Sequence, residues 1–333
     1  MHRRKFVKMV SAACAAAGLG SSAAGHAATV TRAATGKKAG IIGLDTSHAV
    51  AFVKALNAPN PDAKWMGYQV AAAYPQGSRD IKSSVERIPG YTEEVKKMGV
   101  AITGSIPELL EKVDVVFLET NDGRLHLAQA LPVLKARKPL FIDKPMAASL
   151  KDAKAIFKAA RQYNTPVFSS SSLRFITGMN EVKSGKIGKV VGAGTFSPAK
   201  LEPTHPDLFW YGIHGVETLF TAMGTGCKTV SRVHTEHTDI VTGIWEDDRV
   251  GTFRGTRSGK EGYGGIVYGE KGQLILGPFT GYDPLLLEII HFFETGIPPV
   301  AEAETMEILA FMEAADISKQ KQGAPVDMQS LLK

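Results

Sequence analysis

Gly40-Ile41-Ile42-Gly43-Leu44-Asp45-Thr46-Ser47-His48, continuing into Ala49–Ala58, is the stretch whose reading decides the fold. Ile41 and Ile42 lie in a short apolar run that stops at Gly43, the signature of a buried strand. Thr46 and Ser47 are capping residues for a helix carrying Val50, Phe52, Val53 and Leu56. Strand, glycine turn and helix start together open a βαβ unit of the dinucleotide-binding kind. Only the first glycine of the G-x-G-x-x-G fingerprint is kept: Gly43 is followed by Asp45 and His48 where glycines are expected. The second glycine normally lets backbone approach a pyrophosphate, and a carboxylate there is expected to repel it.

Outward from this turn, strands and helices alternate up to Val167–Ser170. Strands are read at Met66–Tyr74, Val100–Thr103, Val113–Glu119 and Pro139–Ile142. Helices are read at Thr92–Met98, Ser105–Lys112, Gly123–Ala136 and Ser149–Tyr163, the last opened by the capping pair Ser149 and Asp152. Such alternation implies an α/β, Rossmann-like, doubly wound parallel sheet. Beyond it the chain becomes strand-rich from Lys189 to Leu276, with short polar turns such as Glu246-Asp247-Asp248. Helices follow at Leu285–Thr295 and Ala303–Gln320, and one at Gly212–Met223 interrupts the strands. That pattern predicts an α+β domain with an open, mainly antiparallel sheet. The domains are accordingly 38–172 (nucleotide-binding) and 173–333 (substrate and oligomerisation), and an exposed face of the second sheet offers a homo-oligomer contact.

The first 27 residues read differently. Arg3-Arg4-Lys5 with Lys8 precedes a small-apolar run and Gly25-His26-Ala27, the pattern of a twin-arginine export signal, with residues 28–37 as a linker. Periplasmic location follows as an expectation, and with it a cofactor bound tightly enough to travel with the folded protein. Without those four basic residues the net charge of +6 falls to +2, which removes any electrostatic case for nucleic acid. No run is long and charge-free enough to span a bilayer. Cys227 is then the only mature cysteine, so no intrachain disulfide forms.

At Phe141-Ile142-Asp143-Lys144-Pro145 the chain resembles the Gfo/Idh/MocA oxidoreductases, a resemblance that extends over essentially the whole mature sequence. Its marker is an acidic residue, Lys and Pro after a strand. Glu119-Thr120-Asn121-Asp122-Gly123-Arg124-Leu125-His126 resembles the family's threonine-proline loop, with Asn121 in place of the proline. Ser172-Leu173-Arg174-Phe175 resembles the segment that begins the second domain, and Gly212–Glu217 the helix bearing the catalytic histidine. The family's usual aspartate four residues before that histidine is Trp210 here, and the last acidic position is Glu217.

The resemblance implies NAD or NADP as cofactor, held by Gly43, Asp45, Thr46, Ser47, His48, Thr120, Asn121, Asp143 and Lys144. Ser78 and Arg79 at the end of the second strand offer partners for a 2′-phosphate. It also implies Lys144 and His214 as catalytic residues. Burial lowers an ammonium's pKa and would let Lys144 exchange a proton, while His214 takes the alcohol proton as hydride leaves. Glu217, three residues on, would orient His214. Arg174, His205, Trp210 and Tyr211, with Lys144, His214 and Glu217, would face the substrate, and the aromatic-polar mixture of Glu202–Tyr211 suits a sugar or cyclitol. Arg124 and His126 are further candidates for the cleft. His48, His205, Asp207, His214 and Glu217 are ligand types without a metal-site spacing, so no metal is expected. Three functions stay open: a dehydrogenase, a lyase or glycosidase using transient oxidation, and a binding protein with a decayed nucleotide turn.

Overall fold

The computed structural model describes residues 36–333. The signal segment 1–27 and the linker up to residue 35 lie outside the described residues. Strands β1 (Lys38–Ile42), β2 (Gln69–Tyr74), β3 (Ala101–Ile102), β4 (Val115–Leu118), β5 (Leu140–Asp143) and β6 (Val167–Ser170) form one parallel sheet in the order β3-β2-β1-β4-β5-β6. Helices α1 (Ser47–Leu56), α2 (Lys82–Lys97), α3 (Ile106–Leu110), α4 (His126–Lys135) and α5 (Leu150–Tyr163) connect them. β1 pairs in parallel with both β2 and β4. The strand order therefore reverses beside β1, and ligands of open α/β sheets sit in the crevice at that point.

The capping expectations hold in detail. Thr46 Oγ1 accepts from the Ala49 N–H at 3.3 Å, and Ser149 Oγ from that of Asp152 at 3.1 Å. Gly43 adopts φ +89°, and a Cβ there would lie 2.5 Å from the Thr120 nitrogen, so the turn admits glycine alone. α2 begins ten residues before the Thr92 expected from sequence, with Pro89 inside it. Proline removes a helical donor. The carbonyl one turn earlier belongs to Val85, which is exposed on a mostly solvated helix, so water can take the donor's place.

The second half contains α6 (Met179–Lys183), β7 (Val190–Pro198), α7 (Asp207–Trp210), α8 (Ile213–Met223), β8 (Cys227–His234), β9 (Thr238–Trp245) and β10 (Val250–Thr256). There follow β11 (Gly264–Gly269), β12 (Gly272–Leu276), α9 (Asp283–Thr295), α10 (Glu302–Gln320), β13 (Val326–Asp327) and α11 (Gln329–Leu332). The seven strands are ordered β12-β11-β7-β10-β9-β8-β13, antiparallel except where β7 meets β10. α8 and α10 cover one face, where Trp245 and Phe311 both pack against Phe220 at 5.5 Å between ring centres.

One packing relation departs from the two-domain division at 172/173. β4 and β5 are buried along their whole length and need cover on both faces. Val116, Leu118 and Ile142 face α4 and α5. Phe117, Phe141 and Phe168 face the other way, onto α1 and α9. Phe293 of α9 lies edge-on to Phe117 at 5.1 Å and stacks on Tyr68 at 6.2 Å. A helix assigned by sequence to the second domain thus completes the core of the first. Phe293→Ala is expected to lower global stability by about 3–5 kcal/mol, as for a buried aromatic truncation. Denaturant unfolding followed by circular dichroism checks this; a loss within the error of the fit would mean that α9 is not part of that core.

Candidate active site

A cleft of about 390 Å³ opens at the carboxyl edge of the parallel sheet. Thr46, Ser47 and His48 enter it from the start of α1, Asn121 from the loop after β4, and Lys144 from the end of β5. The second half contributes Trp210 and Tyr211 from the end of α7, and His214 from α8. Residues missed by sequence reasoning join them: Ser83, Arg87 and Tyr91 on α2, then Lys200, Tyr263, Phe279 and Tyr282. Arg87 escaped notice because the helix that presents it was expected to begin only at Thr92. Tyr282 precedes α9 and packs its ring 4.5 Å from that of His48, a contact with no local sequence signal.

Several expected residues do not reach the cleft. Asp45 is fully buried and turned inward, with Oδ1 accepting from the Asn121 N–H at 2.9 Å and Oδ2 from the Ser78 N–H at 3.2 Å. Its carboxylate faces the loops after β4 and β2, so the expected repulsion of a pyrophosphate does not arise from the cleft side. Gly77 must be glycine to admit it, since a Cβ there would lie 2.1 Å from Asp45 Oδ2. Gly43 makes the turn without lining the cleft, and Thr120 and Asp143 lie buried outside the lining. His205 is buried with Nε2 3.2 Å from Asp122, 5.0 Å from the Trp210 ring. Arg174 and Glu217 pair with each other at 2.9 Å, and Arg174 reaches Glu304 at 2.7 Å. Arg124 is taken by Asp80 and Asp122, and His126 is buried with Nε2 2.6 Å from the Thr120 carbonyl. Asp207 is bound to Arg232 and Lys319.

Glu217 acts on His214 at one remove. It accepts from Ser170 Oγ at 2.9 Å, from the Ser171 N–H at 2.8 Å and from Arg174, while Ser171 Oγ meets His214 Nδ1 at 2.7 Å. Burial pushes the His214 pKa well below the usual imidazole value of 6.5, and the Lys144 and His48 charges push the same way. His214 is therefore neutral at pH 7. Lys144 is only 7% exposed. Burial alone would depress its ammonium, but Asp143, at 3.5 Å, and the neighbouring Tyr211 and Glu119 outweigh it and hold the pKa above the ordinary lysine value. The sequence-based expectation of a lowered lysine pKa is reversed because it left the paired carboxylate out.

The nucleotide implied by the fold can be tested against these residues. Among the described residues the cleft lining carries Arg87, Lys144 and Lys200 and no carboxylate. The one carboxylate in the glycine turn is used by backbone donors and points away. α1 is ten residues long and presents its N-terminus to the cleft. That setting fits an anionic pyrophosphate. Ser78 does not fit a 2′-phosphate: its hydroxyl is bonded to Asp80 and Asp122, both at 2.9 Å, and a phosphate beside two carboxylates is repelled.

This fold and cleft are those of a protein of the dinucleotide-binding type, with a parallel sheet and a second, mainly antiparallel one. Residues 37–170 match the Gfo/Idh/MocA family model, described as an oxidoreductase family with an NAD-binding Rossmann fold. Over 129 residues the chain is 30% identical to 1,5-anhydro-D-fructose reductase of Ensifer adhaerens, a match spanning 37% of this chain and 38% of that enzyme. Scyllo-inositol dehydrogenase of Lactobacillus casei, solved with NAD(H) and scyllo-inositol, has the same fold: TM-score 0.69 at 15% identity, over 88% of this chain and 99% of that one. Myo-inositol dehydrogenase of the same organism, solved with NAD(H) and myo-inositol, gives 0.68 at 17% identity, over 88% and 96% of the two chains.

Asp45→Ala removes both acceptors from two backbone donors. Each buried N–H left without a partner is expected to cost about 1–3 kcal/mol. The loss should appear in equilibrium unfolding of the protein without nucleotide; wild-type stability in that measurement would mean that Asp45 holds neither loop.

Proposed function

We propose that the protein is an NAD-dependent oxidoreductase acting on a secondary hydroxyl of a sugar or cyclitol, exported by the twin-arginine route to the periplasm. The observation that carries this reading is a neutral imidazole and a charged ammonium lining one cleft, beside an α1 N-terminus with no carboxylate exposed to it. The names of the relatives support the substrate class, since a sugar reductase and two inositol dehydrogenases are among them. The basic, twin-arginine beginning of the chain supports export.

Thr46, Ser47 and His48 would hold the pyrophosphate end of the cofactor at the α1 N-terminus, with Asn121 and Arg87 beside them. The cofactor, when bound, supplies the hydride acceptor. In the tautomer whose Nδ1–H donates to Ser171 Oγ, 2.7 Å away, Nε2 carries the lone pair that would take the hydroxyl proton. Ser170, Arg174 and Glu217 hold Ser171, and through it the ring. Lys144 stays an ammonium and stabilises the alkoxide that forms as the proton leaves. Trp210, in place of the family's aspartate, gives an apolar face for the CH side of a ring and keeps water out.

Bound nicotinamide dinucleotide is expected in acid extracts of natively exported protein, read by mass spectrometry, with turnover on some member of a sugar and cyclitol panel. Neither nucleotide nor turnover would sink the proposal. Lys144→Ala and His214→Asn should each lower kcat by about a hundredfold or more while the fold is kept. The acidic limb of the wild-type pH profile should lie below 6.5, because the histidine pKa is lowered, and His214→Asn should abolish it. A limb that persists in the variant would assign the base elsewhere.

The outer face of the second sheet supports a dimer. Ile244 pairs with Val250 across β9 and β10, and Ile266 with Ile275 across β11 and β12. All four are exposed, Ile275 at 75%, and exposed apolar pairs on one sheet face suit a second copy. Light scattering should give the mass of two chains, and Ile275→Glu should shift the population towards one. A monomeric wild type would overturn the dimer without touching the chemistry.

A further inference from the structure

The floor beneath the cleft contains a cluster that the chemistry above does not use. His48 Nδ1 and one carboxylate oxygen each from Glu119 and Asp143 all lie within 4.8 Å of one another. They come from three elements: His48 from the first turn of α1, Glu119 from the residue after β4, and Asp143 from the end of β5. The sequence spacing gave no hint of it, because the three are brought together only by the strand order β1-β4-β5.

Glu119 is the residue that demands an explanation. It is 0% exposed, and among the described residues no hydrogen bond of ordinary geometry reaches either carboxylate oxygen, although the Thr46 hydroxyl is close by. Withdrawing a carboxylate from water without giving it donors is costly, and a second carboxylate alongside raises the cost. Burial and then the Asp143 charge push the Glu119 pKa well above the ordinary value. A proton on Glu119 would remove the charge, but it would leave the other oxygen without a donor. Asp143 has a different balance: burial works against its charge, yet His48, 3.0 Å away, and Lys144 hold its pKa below the usual range. The two carboxylates are thus pushed in opposite directions.

We propose that His48, Glu119 and Asp143 form a binding site for one divalent first-row transition metal ion, of the Mn²⁺ or Zn²⁺ class. One imidazole nitrogen and two carboxylates are a donor set for such ions, whereas an all-oxygen set would point to Ca²⁺ or Mg²⁺. A dication there satisfies the Glu119 oxygens and neutralises both carboxylates; it also offsets the Asp143 charge that holds Lys144 protonated, so the ammonium of the proposed chemistry belongs to the metal-free protein. Glu119 and Asp143 do not line the cleft, so the site does not require the nucleotide to be displaced.

The test uses the full-length, untagged protein, freed of metal and nucleotide by chelation and dialysis. It is titrated with Mn²⁺ alone while free Mn²⁺ is followed by electron paramagnetic resonance, and in parallel with Zn²⁺ by elemental analysis after desalting. The proposal expects one ion of at least one of these metals per chain. It also expects a rise in melting temperature on adding that metal, and at least about tenfold weaker binding by Glu119→Gln, which keeps the shape and removes the charge. Should Glu119→Gln not fold, His48→Gln gives the same comparison from the rim of the site. Binding of neither metal by wild type overturns the site, as does equal binding by wild type and a folded variant. Because no nucleotide or substrate is present, either failure leaves the proposed redox function standing.

Discussion

The carboxylate of Asp45 ties three strand ends together, and the geometry of the cleft depends on it. It leaves the turn after β1 and accepts from the backbone of the loops after β2 and β4. Loops at the carboxyl edge of a parallel sheet have no ladder to hold them, and their N–H groups must find acceptors elsewhere. A buried carboxylate accepting from two such donors is a stronger tie than a neutral side chain would make. Burial costs the carboxylate more than these bonds return to it, which is why its pKa is raised despite them. The same side chain sets the need for glycine at position 77 and fixes where Asn121 enters the cleft. A position that in the usual fingerprint is glycine, for close approach of a ligand, serves here as an internal brace.

His214 and Lys144 are differentiated by what lies behind each. His214 has a hydroxyl, Ser171, at its back, and its burial together with the Lys144 ammonium nearby disfavours a further charge. Lys144 has Asp143 behind it and Glu119 close by. Environments that push two titrating groups in opposite directions suit them to the proposed acid and base roles without either side chain being unusual. Carboxylates throughout this region are kept out of the cleft: Glu217 is spent on Arg174 and Ser171, Asp122 on Arg124, Ser78 and His205.

Much of this was legible in the sequence, and the parts that were not share a physical cause. The parallel sheet and the α+β domain followed from periodicity and turn residues, and the strand boundaries differ from expectation by only a few residues. Thr46, Ser47, His48, Asn121, Lys144, Trp210, Tyr211 and His214 were found because local motifs carried them, and all line the cleft. Arg174, His205 and Glu217 were carried by the same kind of motif, yet face inward, because a motif gives a residue's place on an element and not its pairing partner. Glu217 illustrates this: its spacing from His214 suggested direct contact, but Arg174 and the Ser171 backbone are stronger partners for a buried carboxylate. α9 shows the other limit. Its apolar pattern was evident, but which sheet it would cover depends on a face left open about 150 residues earlier, and periodicity is blind to that.

The placement of charge relative to the cleft wall carries a last consequence. A dinucleotide brings two negative phosphates, and any carboxylate exposed to them would oppose binding, while a wall without carboxylates would leave a buried lysine free to lose its proton. The arrangement here meets both demands by depth. Asp143 is sealed beneath the surface, where it keeps Lys144 charged, and Lys144 presents the resulting positive charge to the cleft. Coulomb attraction falls off with distance and is screened by whatever solvent enters, so the buried carboxylate acts mainly on its neighbour and little on a ligand beyond it. His48 belongs to the same layered design: its ring faces the cleft while Nδ1 meets Asp143. Replacing the third glycine of the turn by histidine therefore gives up close backbone approach at α1 and gains a polar link from that helix to the end of β5.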